Sequence, residues 1–294
     1  MRLFDLHVDT ATELYYKKIP FNSAMLGASS RDAESFSEVR RVYAIFSNPM
    51  LSDEAAWQDF FAIRAHLMSE IAPHLSPEFV ALLAVEDARL LAGKRERLPI
   101  LYDAGVRILT LNWRGITCIG GAHDTNKGLT SFGREILTDC FSLGILPDVS
   151  HASVAGFWDV AEAARERTLP FIASHSDSHA VCPHTRNLTD EQFTALRDSG
   201  GVCGISLYPP HLSKGGAATA TDVLRHLDHY LSLGGEDTVA LGTDYDGIDV
   251  TPADLPNTRA LLHLANEMAR LGYAERVIAK FFSKNAEKLL GKYV

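Results

Sequence analysis

A histidine and an aspartate stand two apart in Leu3-Phe4-Asp5-Leu6-His7-Val8-Asp9-Thr10. A neutral imidazole beside a carboxylate is a nitrogen/oxygen donor pair of the kind a zinc-class divalent cation takes. The segment reads as a strand, so His7 and Asp9 project to one side, with Asp5 one step deeper. Alone, such a pair is weak, since most polar strand ends simply meet solvent. The pattern recurs, however. Apolar runs end in Glu86, in His151, in His175 and in Asp244. Six metal-competent side chains at five strand ends, with no thiolate among them, point to a binuclear site for Zn²⁺, or for Mn²⁺, Co²⁺ or Fe²⁺. Glu86 has the reach to bridge two ions roughly 3.5 Å apart, and a water shared by such ions becomes a nucleophile near neutral pH.

Strands must bring these residues together. After the first strand, the spacing predicts strands at Val39–Ser47, Phe79–Val85, Val106–Asn112, Ile145–Ser150, Pro170–Ser174, Val202–Leu207 and Thr238–Thr243. Phe79–Val85 is continuously apolar, as a strand buried on both faces should be. Helical periodicity follows most strands: Trp57, Phe60, Ile63, Leu67 and Ile71 mark one apolar face, and Ser52 offers its N-cap. Leu129–Leu143 is a helix with Gly144 beyond its end, Thr189 caps another, and two more close the chain. A loop of about sixteen residues follows Trp113, long enough to suggest function. Eight alternating β and α units imply α/β architecture: a single (β/α)8 TIM barrel over residues 1–294, with an open doubly wound sheet as runner-up lacking a Gly-rich phosphate loop. In such a barrel the strand ends lie on one face, where chemistry is placed.

Bulk properties narrow the partners. The 294 residues are 46% hydrophobic and 22% charged, ordinary for a globular protein, and the net charge of −9 disfavours nucleic acid and acidic membranes. Cys118, Cys140, Cys182 and Cys203 are widely separated, as reduced thiols of a cytoplasmic protein would be. No secretion signal, apolar span or membrane anchor is read from the sequence.

The chain resembles the membrane dipeptidase (renal dipeptidase-like, M19) family of amidohydrolase barrels. The likeness rests on FDLHVDT, on VED at Glu86, GLTSFGREIL from Gly128, LPDVSHAS at His151, IASHSDS at His175, TRNLTDEQ at Arg186, LGTDYDG at Asp244 and the closing Ser283-Lys284-Asn285. It implies a zinc-dependent dipeptidase that cleaves a dipeptide through a metal-bridging hydroxide. His7, Asp9 and Glu86 would hold one zinc, and Glu86, His151 and His175 the other. Arg186 would clamp the substrate carboxylate, and Asp244 would act as acid/base and touch substrate. Strand spacing alone does not separate Asp244 from Asp246; the family pattern favours Asp244. A homodimer is compatible with the family. One departure is Trp113, standing where much of the family has a histidine that holds substrate. Its indole donates one hydrogen bond and accepts none. Asn112, His123 and His179 are candidate stand-ins.

Two other readings compete. A deaminase or cyclic-amide hydrolase usually opens with His-x-His, and binuclear ones often bridge through a modified Lys on strand four; Val106–Asn112 contains no Lys. The other is a barrel that has lost catalysis and only binds, made conceivable by Trp113.

Overall fold

The computed structural model describes residues 1–293. Seven strands, β1 (Arg2–Val8), β2 (Glu38–Phe46), β3 (Phe79–Glu86), β4 (Val106–Thr110), β5 (Leu146–Asp148), β6 (Cys203–Ile205) and β7 (Val239–Leu241), form one sheet in the order β5-β4-β3-β2-β1-β7-β6. Every pairing is parallel. The expected strand at 170–174 closes the ring in a minimal form. Val149 N–H donates to Ile172 O (2.8 Å) and Ile172 N–H to Pro147 O (3.0 Å), while Ala173 N–H reaches Val202 O (3.1 Å) and Gly204 N–H reaches Ala173 O (2.8 Å). These bonds join β5 to β6 through parallel bridges. Pro170 has no N–H to extend the ladder, which keeps this strand short.

The barrel interior is layered. At its lower end Phe4, Leu6, Val42, Leu82, Ala84, Ile108, Leu146, Ile172 and Ala240 form one apolar cluster, joined by Ala286 and Leu290 of the helix Asn285–Leu290. That helix stops the end where the strands begin, with Glu287 paired to Arg2. Each buried Leu or Phe contributes about 2 kcal/mol of hydrophobic stabilisation. Above this plug the interior turns polar, with Thr110, Asp148 and Ser174 all fully buried. A second, larger apolar cluster packs the outer strand faces against the helices.

The helices begin where side chains can cap them. Ser52 accepts from Ala55 N–H at the start of Asp53–Ile71, Thr130 from Gly133 N–H ahead of Ser131–Leu143, and Ser153 from Gly156 N–H ahead of Val154–Arg167. Thr189 and Gln192 form a reciprocal capping box before Asp190–Asp198. Each cap is worth about 1 kcal/mol and fixes where the preceding loop, carrying site residues, must end. Among the described residues, no helix is long and apolar enough to cross a membrane.

Candidate metal centre

Five strand ends deliver the predicted residues to one place. His7 Nε2 lies 3.4 Å from Asp9 Oδ2 and 3.7 Å from Glu86 Oε2. On the other side of Glu86, His151 Nε2 is 3.0 Å and His175 Nε2 3.6 Å from Oε1. The donor atoms fall into three groups compact enough for an ion: His7/Asp9/Glu86, Glu86/His151/His175 and His7/His175/Asp244. Glu86 belongs to the first two and turns one carboxylate oxygen toward each. Asp5 does not join them. Its carboxylate accepts from Thr243 N–H and Oγ–H (2.9 and 2.6 Å) and from His7 N–H (3.3 Å). The strand-pairing register slips between Asp5 and Val8, so strict alternation along β1 does not carry through to the site.

Unusual backbone helps aim the side chains. His151 (φ 67°), Asp244 (φ 62°), Asp246 (φ 71°) and Asp87 (φ 70°) all have left-handed φ. Such conformations cost about 1 kcal/mol or more each, and they persist where surrounding structure over-determines them. Gly247 packs against the carboxylates: a Cβ there would stand 2.2 Å from Asp9 Oδ2 and 2.8 Å from Asp244 Oδ1.

The protons on the imidazoles are fixed by their outer nitrogens. His151 Nδ1 lies 3.1 Å from the carbonyl oxygen of Trp113, which only accepts, so Nδ1 carries the hydrogen. Nδ1 of both His175 and His7 faces Ser174 Oγ, at 2.8 and 3.1 Å. In neutral His151, Nε2 therefore presents its lone pair inward. His151 Nε2 and His175 Nε2 are only 3.0 Å apart, and His7 Nε2 and Asp9 Oδ2 are buried without a protein partner. Lone pairs converging in this way fit a cation, and an all-nitrogen/oxygen set suits the zinc class.

Electrostatics agrees. Burial pushes Asp9 up to about 6, with Glu86 adding to the effect, and burial holds Asp244 well above the usual carboxylate range. Burial also opposes charge on His7 and on Glu86, but each wins it back from the other: His7 is raised by Glu86 and Asp9, and Glu86 is lowered by His7 and His151. For His151, burial and the Arg186 guanidinium lower the imidazole to about 4, and His175 is likewise held well below its ordinary value by burial and His7. The acids compete for too few positive partners, which bound cations would supply.

A cavity of about 730 Å³ opens onto the centre, walled by Phe46, Trp113, His123, His151, Arg186 and Asp244 among others. Arg186 is 5% exposed, with Nη2 donating to His175 O (3.3 Å) and Nε without a partner. Asp244 and Asp246 part company here. Asp246 is occupied by Thr10 Oγ–H (2.6 Å) and by the amides of Gly27 and Ala28 (2.6 and 3.3 Å), whereas Asp244 joins His7 and His175. Trp113 packs edge-on against Phe46 (centroids 4.9 Å) and uses its backbone carbonyl to orient His151. Of the candidate stand-ins, His123 lines the cavity and contacts Thr185 Oγ (2.9 Å). His179 is exposed, and Asn112 is fully buried with neither amide atom partnered. Sequence reasoning missed Ser174, Asp148 and Gly247. Polar residues at inward positions of otherwise buried strands, in LPD and IAS, were the available signal for the first two.

The sequence model of the family described as membrane dipeptidase (peptidase family M19) matches residues 58–293. A Klebsiella pneumoniae protein, "Uncharacterized protein in pqqA 5'region", is 36% identical over 70% of this chain and 79% of its own length. "Dipeptidase aclJ" of Aspergillus oryzae is 28% identical over 74% of this chain, which spans about half (52%) of that relative. Among solved structures, a Rhodobacter sphaeroides metallo peptidase liganded with a phosphinate mimic of the dipeptide L-Ala-D-Ala superposes with a TM-score of 0.89 at 26% identity, covering 100% of this chain and 99% of that one. The M19 metallo peptidase "dipeptidase AC" gives the same TM-score, 0.89, at 26% identity, covering 100% and 98%. This chain belongs to the membrane dipeptidase family, M19. His7 and Asp9 precede the matched range, and it is the tertiary structure that sets them beside Glu86.

Proposed function

We propose that this chain, a dipeptidase by family, works with two divalent ions, zinc by preference. His7, Asp9 and Glu86 would hold one, and Glu86, His151 and His175 the other. The observation that carries this reading is Glu86, which offers one oxygen to each of two compact donor groups. When bound, the ions supply Lewis acidity toward the scissile carbonyl and acidify a water.

The chain's own residues do the rest. Arg186, buried with a free Nε at the cavity wall, receives the substrate's α-carboxylate in a charge-assisted fork. That fixes the dipeptide's length and register. Asp244 has a raised affinity for protons, so it takes one from the attacking water and returns it to the leaving amine. Phe46 and Trp113 give the cavity an aromatic wall that packs on a substrate side chain and excludes water. The Rhodobacter sphaeroides relative, bound to a mimic of L-Ala-D-Ala, supports including L,D-dipeptides in the substrate class. The same reading treats residues 1–294 as one domain. The cytoplasm is its compartment, since all four cysteines are free thiols.

The test is a metal-reconstituted hydrolysis panel of L,L- and L,D-dipeptides, with acetylated, amidated and cyclic-amide controls. The expected result is metal-dependent cleavage of free dipeptides, with the amidated dipeptide cleaved far more slowly and the acetylated and cyclic-amide controls left intact. Stoichiometric metal without cleavage of any dipeptide would instead assign a binding protein, and cleavage confined to cyclic amides would assign a different hydrolase.

A further inference from the structure

Ser174 sits beneath the metal centre, fully buried, and its hydroxyl has three close neighbours and a more distant fourth, Ser150 Oγ at 3.4 Å, whose own proton can turn to Ser176 Oγ at 3.3 Å. Asp148 Oδ2 is at 2.6 Å, His175 Nδ1 at 2.8 Å and His7 Nδ1 at 3.1 Å. Asp148, also fully buried, is surrounded by donors: Thr110 Oγ–H (2.6 Å), Ser150 N–H (3.0 Å) and Ser174 N–H (2.9 Å). An ionised carboxylate only accepts, so the Ser174 hydroxyl proton goes to Asp148. The hydroxyl oxygen then has two lone pairs left, one for each imidazole. Both rings must present Nδ1–H to it, which leaves both Nε2 atoms unprotonated toward Glu86.

We propose that Ser174, oriented by Asp148, is the shared positioning residue of the two metal sites. This rests on the two-ion reading, because His7 belongs to one donor group and His175 to the other. Outer hydrogen bonds set the tautomer and orientation of metal-ligating imidazoles, ordinarily one partner for each ring. Here a single hydroxyl serves a ligand of each ion, so disturbing it disturbs both sites together. The backbone holds the hydroxyl in place. A Cβ on Gly204 or Gly242 would stand 2.0 or 1.8 Å from Ser174 O, so these neighbouring chains close directly onto the Ser174 peptide. His151 stands outside this arrangement, since its Nδ1 is satisfied by Trp113 O.

The experiment compares wild type with Ser174→Ala, Ser174→Thr and Asp148→Asn. Zn²⁺ titration of the metal-free proteins gives two affinities, and ¹⁵N shifts recorded on the metal-free proteins at a pH high enough that the imidazoles are neutral report which ring nitrogen is protonated. Ser174→Ala should weaken both ions together, each by about 10- to 100-fold. It should also abolish the Nδ1–H preference at His7 and His175 while His151 keeps its own. Ser174→Thr, which retains the hydroxyl, should restore both. Asp148→Asn keeps the shape but can donate to Ser174, turning the hydroxyl proton toward an imidazole; it should move a ring proton to Nε2 and weaken both ions. Loss of only one ion in Ser174→Ala, or unchanged tautomers in both the Ala and Asn variants, overturns the proposal. If wild type itself binds a single ion, the two-ion reading fails, and the tautomers of the metal-free protein still decide whether Ser174 orients both rings. Should Ser174→Ala not fold, Asp148→Asn and Ser174→Thr decide the matter by the same two measurements.

Discussion

His151 Nε2 and His175 Nε2 approach to 3.0 Å, although the outer nitrogen of His151 is already committed as a donor to Trp113 O and that of His175 is, in the arrangement proposed above, a donor to Ser174 Oγ. Two imidazole lone pairs that close repel each other unless a cation lies within reach of both. Chelating the metal should therefore destabilise the fold as well as silence it. A chelator-treated sample should unfold at a lower temperature than the reconstituted one, and added Zn²⁺ should restore the transition in a concentration-dependent way. Identical transitions with and without metal would contradict this. Glu86→Ala, which removes the carboxylate proposed to be shared, should on the two-ion reading lose both ions and lower kcat/KM by about 10³-fold or more, equivalent to several kcal/mol of transition-state stabilisation.

Asp244→Asn keeps the size of the side chain and removes its capacity to carry a proton. If Asp244 handles the proton, kcat should fall by about 10²- to 10⁴-fold with KM little changed. Asp246→Asn is the contrast. Asp246 pins Gly27 and Ala28, so its variant should chiefly lower thermal stability. Steady-state kinetics and melting curves on the two proteins check this, and the reverse pattern would exchange their roles.

Arg186→Ala should lower kcat/KM for a free dipeptide by about 10- to 100-fold, the worth of a charge-assisted hydrogen-bonded pair. It should barely affect the same dipeptide with an amidated C-terminus, because that substrate has no carboxylate to lose. Equal losses on both substrates would take Arg186 off the carboxylate.

Gly247→Ala probes chiefly the proposed His7/Asp9/Glu86 ion, although its methyl also presses on Asp244 Oδ1 at 2.8 Å. The added methyl collides with Asp9 Oδ2 at 2.2 Å, on the His7/Asp9/Glu86 side, and no ligand of the opposite group is so close to it. Metal analysis should show occupancy falling from two ions toward one, with a well-folded protein by circular dichroism. Two ions retained at full affinity would mean that the turn yields without moving Asp9.

Acid sensitivity should include a term remote from the metal. His226 is fully buried, accepts from Ser178 N–H (2.9 Å) and donates to Leu212 O (3.0 Å). Burial lowers its imidazole from 6.5 to about 4. Between these values the unfolded chain binds a proton that the folded chain refuses, so stability falls as pH drops below 6.5 and the loss is complete near pH 4. The full effect is on the order of 3 kcal/mol. In urea titrations of the metal-free protein, His226→Gln should be less stable at pH 7 but decline less steeply over this window. Equal slopes would remove His226 from the account.

What the sequence determined by itself was the repeating unit and the kind of chemistry. Alternating apolar runs and capped helices specify parallel strands, because local propensity, period and capping residues act over a few neighbours and can be read there. The metal-competent ends at His7, Asp9, Glu86, His151, His175 and Asp244 were legible for the same reason, each standing where an apolar run ends. Only the tertiary structure decided which of them meet, and at what distance. Closure through the 171–173 segment set His175 against His151, and the register slip in β1 admitted His7 while leaving Asp5 to Thr243. The choice between Asp244 and Asp246 was likewise beyond spacing, because it depends on Gly27 and Ala28, more than two hundred residues earlier in the chain. Ser174 and Asp148 show the limit most clearly. A serine next to a histidine carries no message in sequence. Its meaning arises when three strands bring two imidazoles and a carboxylate within about 3 Å of one hydroxyl, since hydrogen bonds depend on distances that no local pattern encodes.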